Sequence, residues 1–161
     1  MEIWSGGQTG VDRAALDAAL EFGYAIGGWI PNGRLAEDGV VPLKYAALRE
    51  AVTADYDERT RLNVRDTDAT LVMSWGEPRG GTRETSCIAR ELGRPLLIID
   101  LDAADWATIA GRVRNWLESL GHVARLNVAG PRSSQAPMAY ERALLVLRCV
   151  LPTTSPLRDR S

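Results

Sequence analysis

Three short segments of the chain combine glycine with serine, threonine or arginine, and each lies between an apolar run and a helical pattern. They read "SGGQTGVD" at 5–12, "EPRGGTRET" at 77–85 and "AGPRSSQ" at 129–135. Glycine lets the backbone approach a phosphate closely, and free N–H groups at a helix start, with nearby hydroxyl groups, donate to its oxygens. One glycine turn is often only a steric necessity, but three such loops together favour an anion site over plain turns.

Other kinds of chemistry find little support in the residues. His122 is the single histidine and follows Gly121, which ends a helical pattern, so a surface or capping role is favoured over catalysis. Cys87 and Cys149 lack the spacing of a metal or redox motif, and we expect two buried, reduced thiols. The sequence therefore favours no protein-built transition-metal site. Ser5 lacks the G-x-S-x-G pattern of a hydrolase nucleophile.

The five tryptophans fall into two groups. Trp106 and Trp116 lie on the apolar stripe of one helical pattern, which predicts that they pack in the core. Trp4, Trp29 and Trp75 each lie near the carboxyl end of a predicted strand. Core packing is the favoured interpretation for these three as well, but one of them could stack on a heterocyclic ligand.

The elements that must position the loops alternate between strand and helix. Apolar runs of strand length cover 3–4, 24–30, 69–75, 95–101 and 123–129, and helical patterns cover 11–22, 82–92, 106–120 and 136–151. Continuous apolar strands alternating with helices predict a Rossmann-like, three-layer α/β fold with a parallel central sheet. Ligands of such sheets bind beyond the carboxyl ends of the strands, where all three loops belong. Between these elements, 31–43 predicts a long loop and 43–52 a weak helix.

Length and composition indicate one soluble domain. The chain has 161 residues, 45% of them apolar and 25% charged, and a formal net charge of −2. Without a basic block, broad electrostatic capture of nucleic acid is disfavoured. We see no signal peptide and no run long enough to span a bilayer, so we expect a cytoplasmic protein without a membrane partner. We expect a single ligand-binding domain at 1–151 and a disordered polar tail at 152–161.

Four stretches together resemble a known superfamily. "GGQTGVDRAALDAALEFGYAIGGWIP", "ERTRLNVRDTDATLVM", "PRGGTRET" and "GRPLLIIDL" resemble, in this order, the SLOG superfamily, which includes the lonely-guy-type phosphoribohydrolases. In those enzymes a strand ending in a small polar loop, with its helix, comes first, whereas here "LNVAGPRSSQAPMAYERALLVL" comes last. The chain therefore resembles a circularly permuted SLOG fold, and more specifically the permuted group of molybdenum-cofactor carrier proteins. Permutation is tolerated where the termini lie close together.

The hydrolase signature of the superfamily is only partly present. It reads P-G-G-x-G-T-x-x-E, with a catalytic glutamate and an arginine upstream, and Arg59 falls at the matching distance. After Thr82 the matching position is Thr85, and Glu84 comes one residue early. One residue rotates a helix by about 100°, which counts against a hydrolase. If the chain is an enzyme, Arg59 and Glu84 are the catalytic candidates.

The resemblance implies a binding or carrier protein for a phosphorylated heterocyclic ligand, with molybdenum cofactor as the first candidate, because molybdopterin carries a phosphate and its own dithiolene holds the metal. The alternatives are a phosphoribohydrolase-like enzyme and a sensor of a nucleotide-derived signal. A homo-oligomer is expected because relatives form dimers or tetramers and 11–22 is rich in alanine. The expected ligand-binding residues are Gly6, Gly7, Gln8, Thr9, Gly10 and Asp12; Gly80, Gly81, Thr82 and Glu84; and Arg132, Ser133 and Ser134, with Arg59 and Asn63 nearby.

Overall fold

The computed structural model of the protein describes residues 1–152 and contains nine strands and five helices over that range. The strands are β1 Glu2–Trp4, β2 Ile26–Gly27, β3 Trp29–Ile30, β4 Leu35–Ala36, β5 Gly39–Val40, β6 Arg49–Glu50, β7 Ala69–Ser74, β8 Leu96–Asp100 and β9 Arg125–Ala129. The helices are α1 Val11–Glu21, α2 Tyr56–Arg65, α3 Gly80–Glu91, α4 Trp106–Leu120 and α5 Ala139–Val150, with a 3-10 turn at Leu43–Tyr45.

Five of the strands form an all-parallel central sheet in the order β2-β1-β9-β7-β8. On the helical layers, α1 and α4 both pack against α5, and α2 packs against α3. The predicted three-layer Rossmann-like fold is confirmed. Strand β7 is buried over its whole length, as a central strand covered on both faces must be.

The last strand of the chain lies in the middle of the sheet. In β9, Leu126 is in register with Ile3 of β1 on one side and with Ala69 of β7 on the other. Because all three strands are parallel, the loops that follow them meet at one edge. The C-terminal loop at 129–135 therefore lies between the two other glycine-containing loops.

The main apolar core lies between the central sheet and helices α1, α4 and α5. On α1, Ala14, Ala15, Ala18 and Ala19 have no exposed surface, and the helix packs closely on α5 of the same chain. Small side chains permit this close approach. The alanine-rich face, on which the sequence argument for an oligomer depended, is therefore used inside the chain.

The segment between α1 and α2 differs from its prediction. The expected strand at 24–30 is interrupted at Gly28, whose φ is +133° and where a Cβ would lie 2.0 Å from the Ser5 carbonyl oxygen. The second half, β3, leaves the main sheet and pairs with β6. The helix expected at 43–52 is wrong, because that range holds the 3-10 turn and β6. The loop expected at 31–43 contains a β4–β5 hairpin.

This segment encloses a second, smaller apolar cluster against α1. Its members are Leu16, Ile30, Ala36, Val41, Tyr45 and Leu48. The Tyr45 hydroxyl donates to Asp17 Oδ1 at 2.6 Å. Burial raises the pKa of Tyr45, and the acceptor Asp17 raises it further, so the phenol keeps its proton and the bond. The cluster fixes the hairpin beside the first glycine-containing loop.

Three burial expectations are wrong, those for Cys87, Cys149 and Trp106. Cys87 is exposed and Cys149 only half-buried, both as free thiols, because Cys87 lies on the outer side of α3. Trp106 is 41% exposed at the start of α4, whereas Trp116 packs on the core as predicted. Of the expected tail, 153–161 lie outside the described residues. No helix within residues 1–152 combines the length and apolar character needed to cross a membrane.

Candidate functional site

A pocket opens at the carboxyl edge of the sheet, where the loops after β1 and β9 and the start of helix α3 face helix α2. Its volume is about 50 Å³, which is room for a group of a few atoms and well below the roughly 300–1,000 Å³ that is usual for a whole small-molecule ligand. The residues that line it are Gly6, Gln8, Asp12, Tyr56, Asp57, Arg59, Thr60, Asn63, Gly81, Thr82, Thr85, Asn127, Ala129, Gly130, Arg132 and Gln135.

An ion pair connects the first loop to helix α2 at the floor of this pocket. Arg59 Nη1 lies 3.2 Å from Asp12 Oδ2, and the two side chains are only 12% and 5% exposed. The Gln8 N–H also donates to Asp12 Oδ2 at 3.2 Å. Burial raises the pKa of Asp12, while the charge of Arg59 and the Gln8 N–H oppose that rise. A carboxylate so far from water depends on its guanidinium partner.

The pair needs glycine at position 6. A Cβ built on Gly6 would lie 1.4 Å from Arg59 Nη1 and 3.0 Å from Asp12 Oδ2. The missing side chain therefore provides the space in which the guanidinium lies. This is the steric reason for the first glycine of "GGQTG".

Several donors of the pocket have no acceptor in the described part of the chain. Gln8 Nε2 and Arg59 Nε are buried without a hydrogen-bond partner, and Gln8 itself is only 5% exposed. The guanidinium groups of Arg59 and Arg132 lie 5.6 and 5.4 Å from the centre of the Tyr56 ring. Buried donors without acceptors are costly and rare in native proteins. Together they suit a ligand that carries only acceptors, such as a phosphate.

The start of helix α3 adds backbone donors to the same pocket. The Thr82 and Arg83 N–H groups both donate to the Arg79 carbonyl, whereas no acceptor within residues 1–152 lies at the Gly80 and Gly81 N–H groups. A Cβ on Gly81 would meet nothing within 4 Å, so that side of the helix start is open. The partial positive charge of a helix N-terminus favours an anion there.

The third loop has a different partner from the one that its sequence predicts. Glu37, at the turn of the β4–β5 hairpin, accepts hydrogen bonds from the Ser134 N–H at 3.1 Å, from the Ser134 hydroxyl and from the Thr9 hydroxyl. The Ser133 N–H donates to Thr9 Oγ1 at 3.1 Å. A carboxylate of the protein itself therefore uses the donors that the sequence assigned to a ligand phosphate.

The hairpin turn is held firmly in this position. The Glu37 N–H donates to Gln8 Oε1 at 2.9 Å, and Asp38 forms a two-point ion pair with Arg13 on α1. Partial burial tends to raise the pKa of Glu37, but the hydrogen bonds from Ser134 and Thr9 and the charge of Arg132 hold it below its ordinary value. Glu37 is thus a fixed anion beside the pocket.

The structure divides the predicted site residues into two groups. Those that line the pocket are Gly6, Gln8, Asp12, Arg59, Asn63, Gly81, Thr82 and Arg132, and those outside its lining are Gly7, Thr9, Gly10, Gly80, Glu84, Ser133 and Ser134. A Cβ on Gly7 would contact Ile30 and Leu48 of the smaller cluster, so this glycine faces apolar side chains.

Two further residues of the predicted site, Gly10 and Glu84, lie away from the pocket lining. A Cβ on Gly10 would lie 2.3 Å from the Pro131 carbonyl oxygen, so Gly10 permits the close approach of two loops. On α3, Thr85 lines the pocket and Glu84 is exposed. The one-residue displacement from the hydrolase signature therefore takes the glutamate away from the pocket.

Sequence reasoning missed other residues of α2 and the polar residue Asn127 of β9. Tyr56 and Thr60 line the pocket with Arg59 and Asn63, at the spacing of one helix face. Helical periodicity applied to Arg59 would have found them. Asn63 also bridges to β3, where its amide exchanges two hydrogen bonds with the Trp29 backbone at 2.8 and 2.9 Å. Asn127 is a buried polar residue within an otherwise apolar strand. A polar residue in such a position is a sequence signal for a binding site, and it was overlooked.

Comparisons with known proteins agree with this architecture. No protein of curated function matches the chain. A crystal structure named "putative molybdenum carrier protein", from Syntrophus aciditrophicus SB, is 44% identical over 94% of each chain, with a TM-score of 0.90. In the described residues, no three His, Cys, Asp or Glu side chains converge on a metal site. The model of the circularly permutated YpsA SLOG family matches residues 3–151, and the chain belongs to that family.

Proposed function

We propose that this protein binds a phosphorylated heterocyclic ligand and holds its phosphate in the pocket between α2 and α3. The observation that carries the proposal is the convergence of donors that lack acceptors within residues 1–152: Gln8 Nε2, Arg59 Nε and the N–H of Gly81. A phosphate has only acceptor oxygens to offer at neutral pH, apart from one titrating proton, and it satisfies all of these donors at once.

The two arginines have different roles in this proposal. Arg59 is partly neutralised by Asp12 and is held at a fixed position, so it contributes mainly oriented N–H groups. Arg132 has no hydrogen-bonded carboxylate among the described residues, and it lines the mouth of the pocket beside Tyr56. A planar guanidinium forms two parallel hydrogen bonds to phosphate, so Arg132 supplies the charge that recognises the ligand.

Molybdenum cofactor is the candidate ligand that we put first. The relative that is 44% identical is named a molybdenum carrier protein, and the pocket of this chain contains unpartnered donors for a phosphate. When bound, the cofactor supplies its own dithiolene sulfurs to the metal. The residues of this chain would then hold the phosphate through Arg59, Arg132 and Gly81 and leave the metal to the cofactor.

The placement of Glu84 supports a binding protein over a phosphoribohydrolase. Its side chain is exposed on α3 and outside the pocket lining. The buried carboxylate of the pocket, Asp12, is already bound to Arg59 and to the Gln8 N–H. Neither carboxylate is placed as the free glutamate of the hydrolase signature would be.

The test is to identify the small molecule that accompanies the native protein. We expect mass spectrometry of gently purified protein to show a bound phosphorylated pterin or nucleotide, and the Arg132→Ala variant to retain less of it. Titration calorimetry with inorganic phosphate, guanosine monophosphate and 6-hydroxymethylpterin phosphate gives an independent measure. Protein that carries no such molecule and binds none of these three probes would contradict the proposal.

A further inference from the structure

A second cleft lies beside the phosphate pocket, on the other side of Gln135. Its lining includes Trp75, Glu77 and Pro78 from the loop after β7 and Pro131 from the loop after β9, while Thr82 and Gln135 line both cavities. The two cavities therefore meet at Thr82 and Gln135. A ligand whose phosphate lies in the pocket has room for its remaining part in the cleft.

The phosphate pocket itself offers little to a flat ring. Its aromatic residue, Tyr56, already has the guanidinium groups of Arg59 and Arg132 over its ring. Trp4 is 3% exposed, and the Trp29 indole N–H donates to Asp66 at the end of α2. Of the three tryptophans near strand ends, Trp75 is the one that lines a cavity at this edge of the sheet.

Trp75 is well placed to act as a stacking surface. Its side chain is half-buried against the main core, and the residue lines the cleft with Pro78, Pro131 and Ala136. The core contact restricts the freedom of the side chain before any ligand arrives. Stacking on a rigid aromatic ring costs little conformational entropy and tolerates any planar heterocycle.

A carboxylate stands at the same cleft without a partner. Glu77 is exposed and lines the cleft, and no hydrogen bond or ion pair to its side chain occurs in residues 1–152. An ionised carboxylate only accepts hydrogen bonds. It therefore complements a ring edge with two adjacent N–H donors and is repelled by a ring edge that offers lone pairs.

We propose that this cleft is the ring subsite of the ligand and that it selects a 2-amino-4-oxo-pyrimidine edge. Guanine and pterin share this edge, which presents a ring N–H next to an exocyclic amino group, whereas adenine lacks the ring N–H. Trp75 stacks on the ring and Glu77 accepts from the two donors. The inference rests on the proposed function, since the phosphate pocket supplies the other anchor.

The experiment compares ligands that differ by one group. Guanosine monophosphate and inosine monophosphate differ only in the exocyclic amino group, and we expect the wild-type protein to bind the first about tenfold more tightly. Glu77→Gln should reduce that ratio to nearly one and leave the affinity for inorganic phosphate unchanged. Glu141→Gln, an exposed carboxylate on α5, is the matched control and should keep the wild-type ratio. 6-Hydroxymethylpterin phosphate, run in parallel, shows which of the two ring systems binds more tightly.

Fluorescence tests the role of Trp75 separately. Guanosine monophosphate should quench part of the tryptophan emission, inorganic phosphate should not, and the quenching should vanish in Trp75→Phe, which keeps an aromatic ring in the core. Two results would contradict the ring subsite without contradicting the phosphate pocket. One is an unchanged ratio of the affinities for guanosine and inosine monophosphate in Glu77→Gln, and the other is unchanged quenching in Trp75→Phe. Failure of all phosphate probes to bind would remove the proposed function, and the subsite with it.

Discussion

The guanidinium of Arg59 lies over the backbone of Gly6 and donates to the buried carboxylate of Asp12 at 3.2 Å. This contact joins residues 47 positions apart in the chain and connects the first glycine-containing loop to helix α2. It also fixes one wall of the proposed phosphate pocket before a ligand binds. Preorganised donors of this kind spend little binding energy on ordering.

Replacing Gly6 by alanine should disrupt this arrangement. The Cβ would overlap Arg59 Nη1, so the guanidinium must move and leave Asp12 buried without its partner. We expect a loss of about 3 kcal/mol in the free energy of unfolding, measured by chemical denaturation, and weaker phosphate binding. A variant as stable as the wild type would show that the ion pair contributes nothing.

Gly81→Ala, at the start of α3 on the opposite wall of the pocket, is the matched comparison for Gly6→Ala. A Cβ there meets no atom within 4 Å, and alanine favours a helix, so stability should not fall. Phosphate binding should still weaken, because the methyl group enters the open space at the helix start. The two variants therefore separate a loss of binding through unfolding from a direct loss of binding.

Arg132→Ala should distinguish phosphorylated from unphosphorylated ligands. A charge-assisted guanidinium contact is worth about 1.5–3 kcal/mol, so guanosine monophosphate should bind about ten- to a hundredfold more weakly, while guanosine should be little affected. Lysine at this position should restore only part of the loss, since it cannot form the planar two-point contact. An equal loss for both ligands in calorimetric titrations would mean that Arg132 supports the ring or the fold instead.

No free base should appear when the protein is incubated with nucleoside monophosphates. Glu84 is exposed and outside the pocket lining, where it cannot serve a bound nucleotide. Chromatography of the reaction mixture measures the released base directly. Base release that disappears in Glu84→Gln would show the protein to be a phosphoribohydrolase.

Acid should weaken the attachment of the β4–β5 hairpin. The pKa of Glu37 lies below its ordinary value in the folded protein, so its stabilising contribution is complete above the unfolded-state pKa of about 4.3. That contribution is lost as the pH falls through the lower folded-state pKa. Glu37→Gln should therefore be less stable than the wild type near neutral pH, with a smaller fall in stability on acidification. Denaturation curves at several pH values test this, with Glu141→Gln as the control.

A homo-oligomer remains our expectation for the protein in solution. The alanine face of α1 does not provide the contact, because α5 of the same chain covers it. We therefore expect the interface to form on another surface. Light scattering at micromolar protein should give a mass of at least twice the 17.6 kDa of the chain, and a monomer mass would contradict the expectation.

The central sheet could be predicted because its information is local. The apolar runs at 69–75, 95–101 and 123–129 became β7, β8 and β9 with ends displaced by at most two residues. A central strand that is covered on both faces is largely apolar, whatever lies beside it. Since parallel strands end at one edge, the meeting of the three loops followed as well.

The segment 24–52 could not be predicted because its strands are two residues long and exist through distant contacts. Gly28 turns the chain where a side chain would collide with Ser5, and β3 then pairs with β6. Two residues carry no periodicity that a sequence pattern could show. Helix α2 was missed for a related reason, since its buried positions are mostly polar: Thr60 and Asn63 beside Val64.

Residue types alone indicated an anion site at the three loops, because glycine, arginine and hydroxyl side chains have the required freedom and donors. Which of those donors remain available is a tertiary property. Gly7 faces an apolar cluster and its neighbour Gly6 faces Arg59, a difference that no composition reveals. Likewise Glu37 reaches Ser134 across 97 positions of sequence and occupies its donors. A hydrogen-bond donor is free only if the fold brings no acceptor to it, and that depends on contacts between residues far apart in the chain.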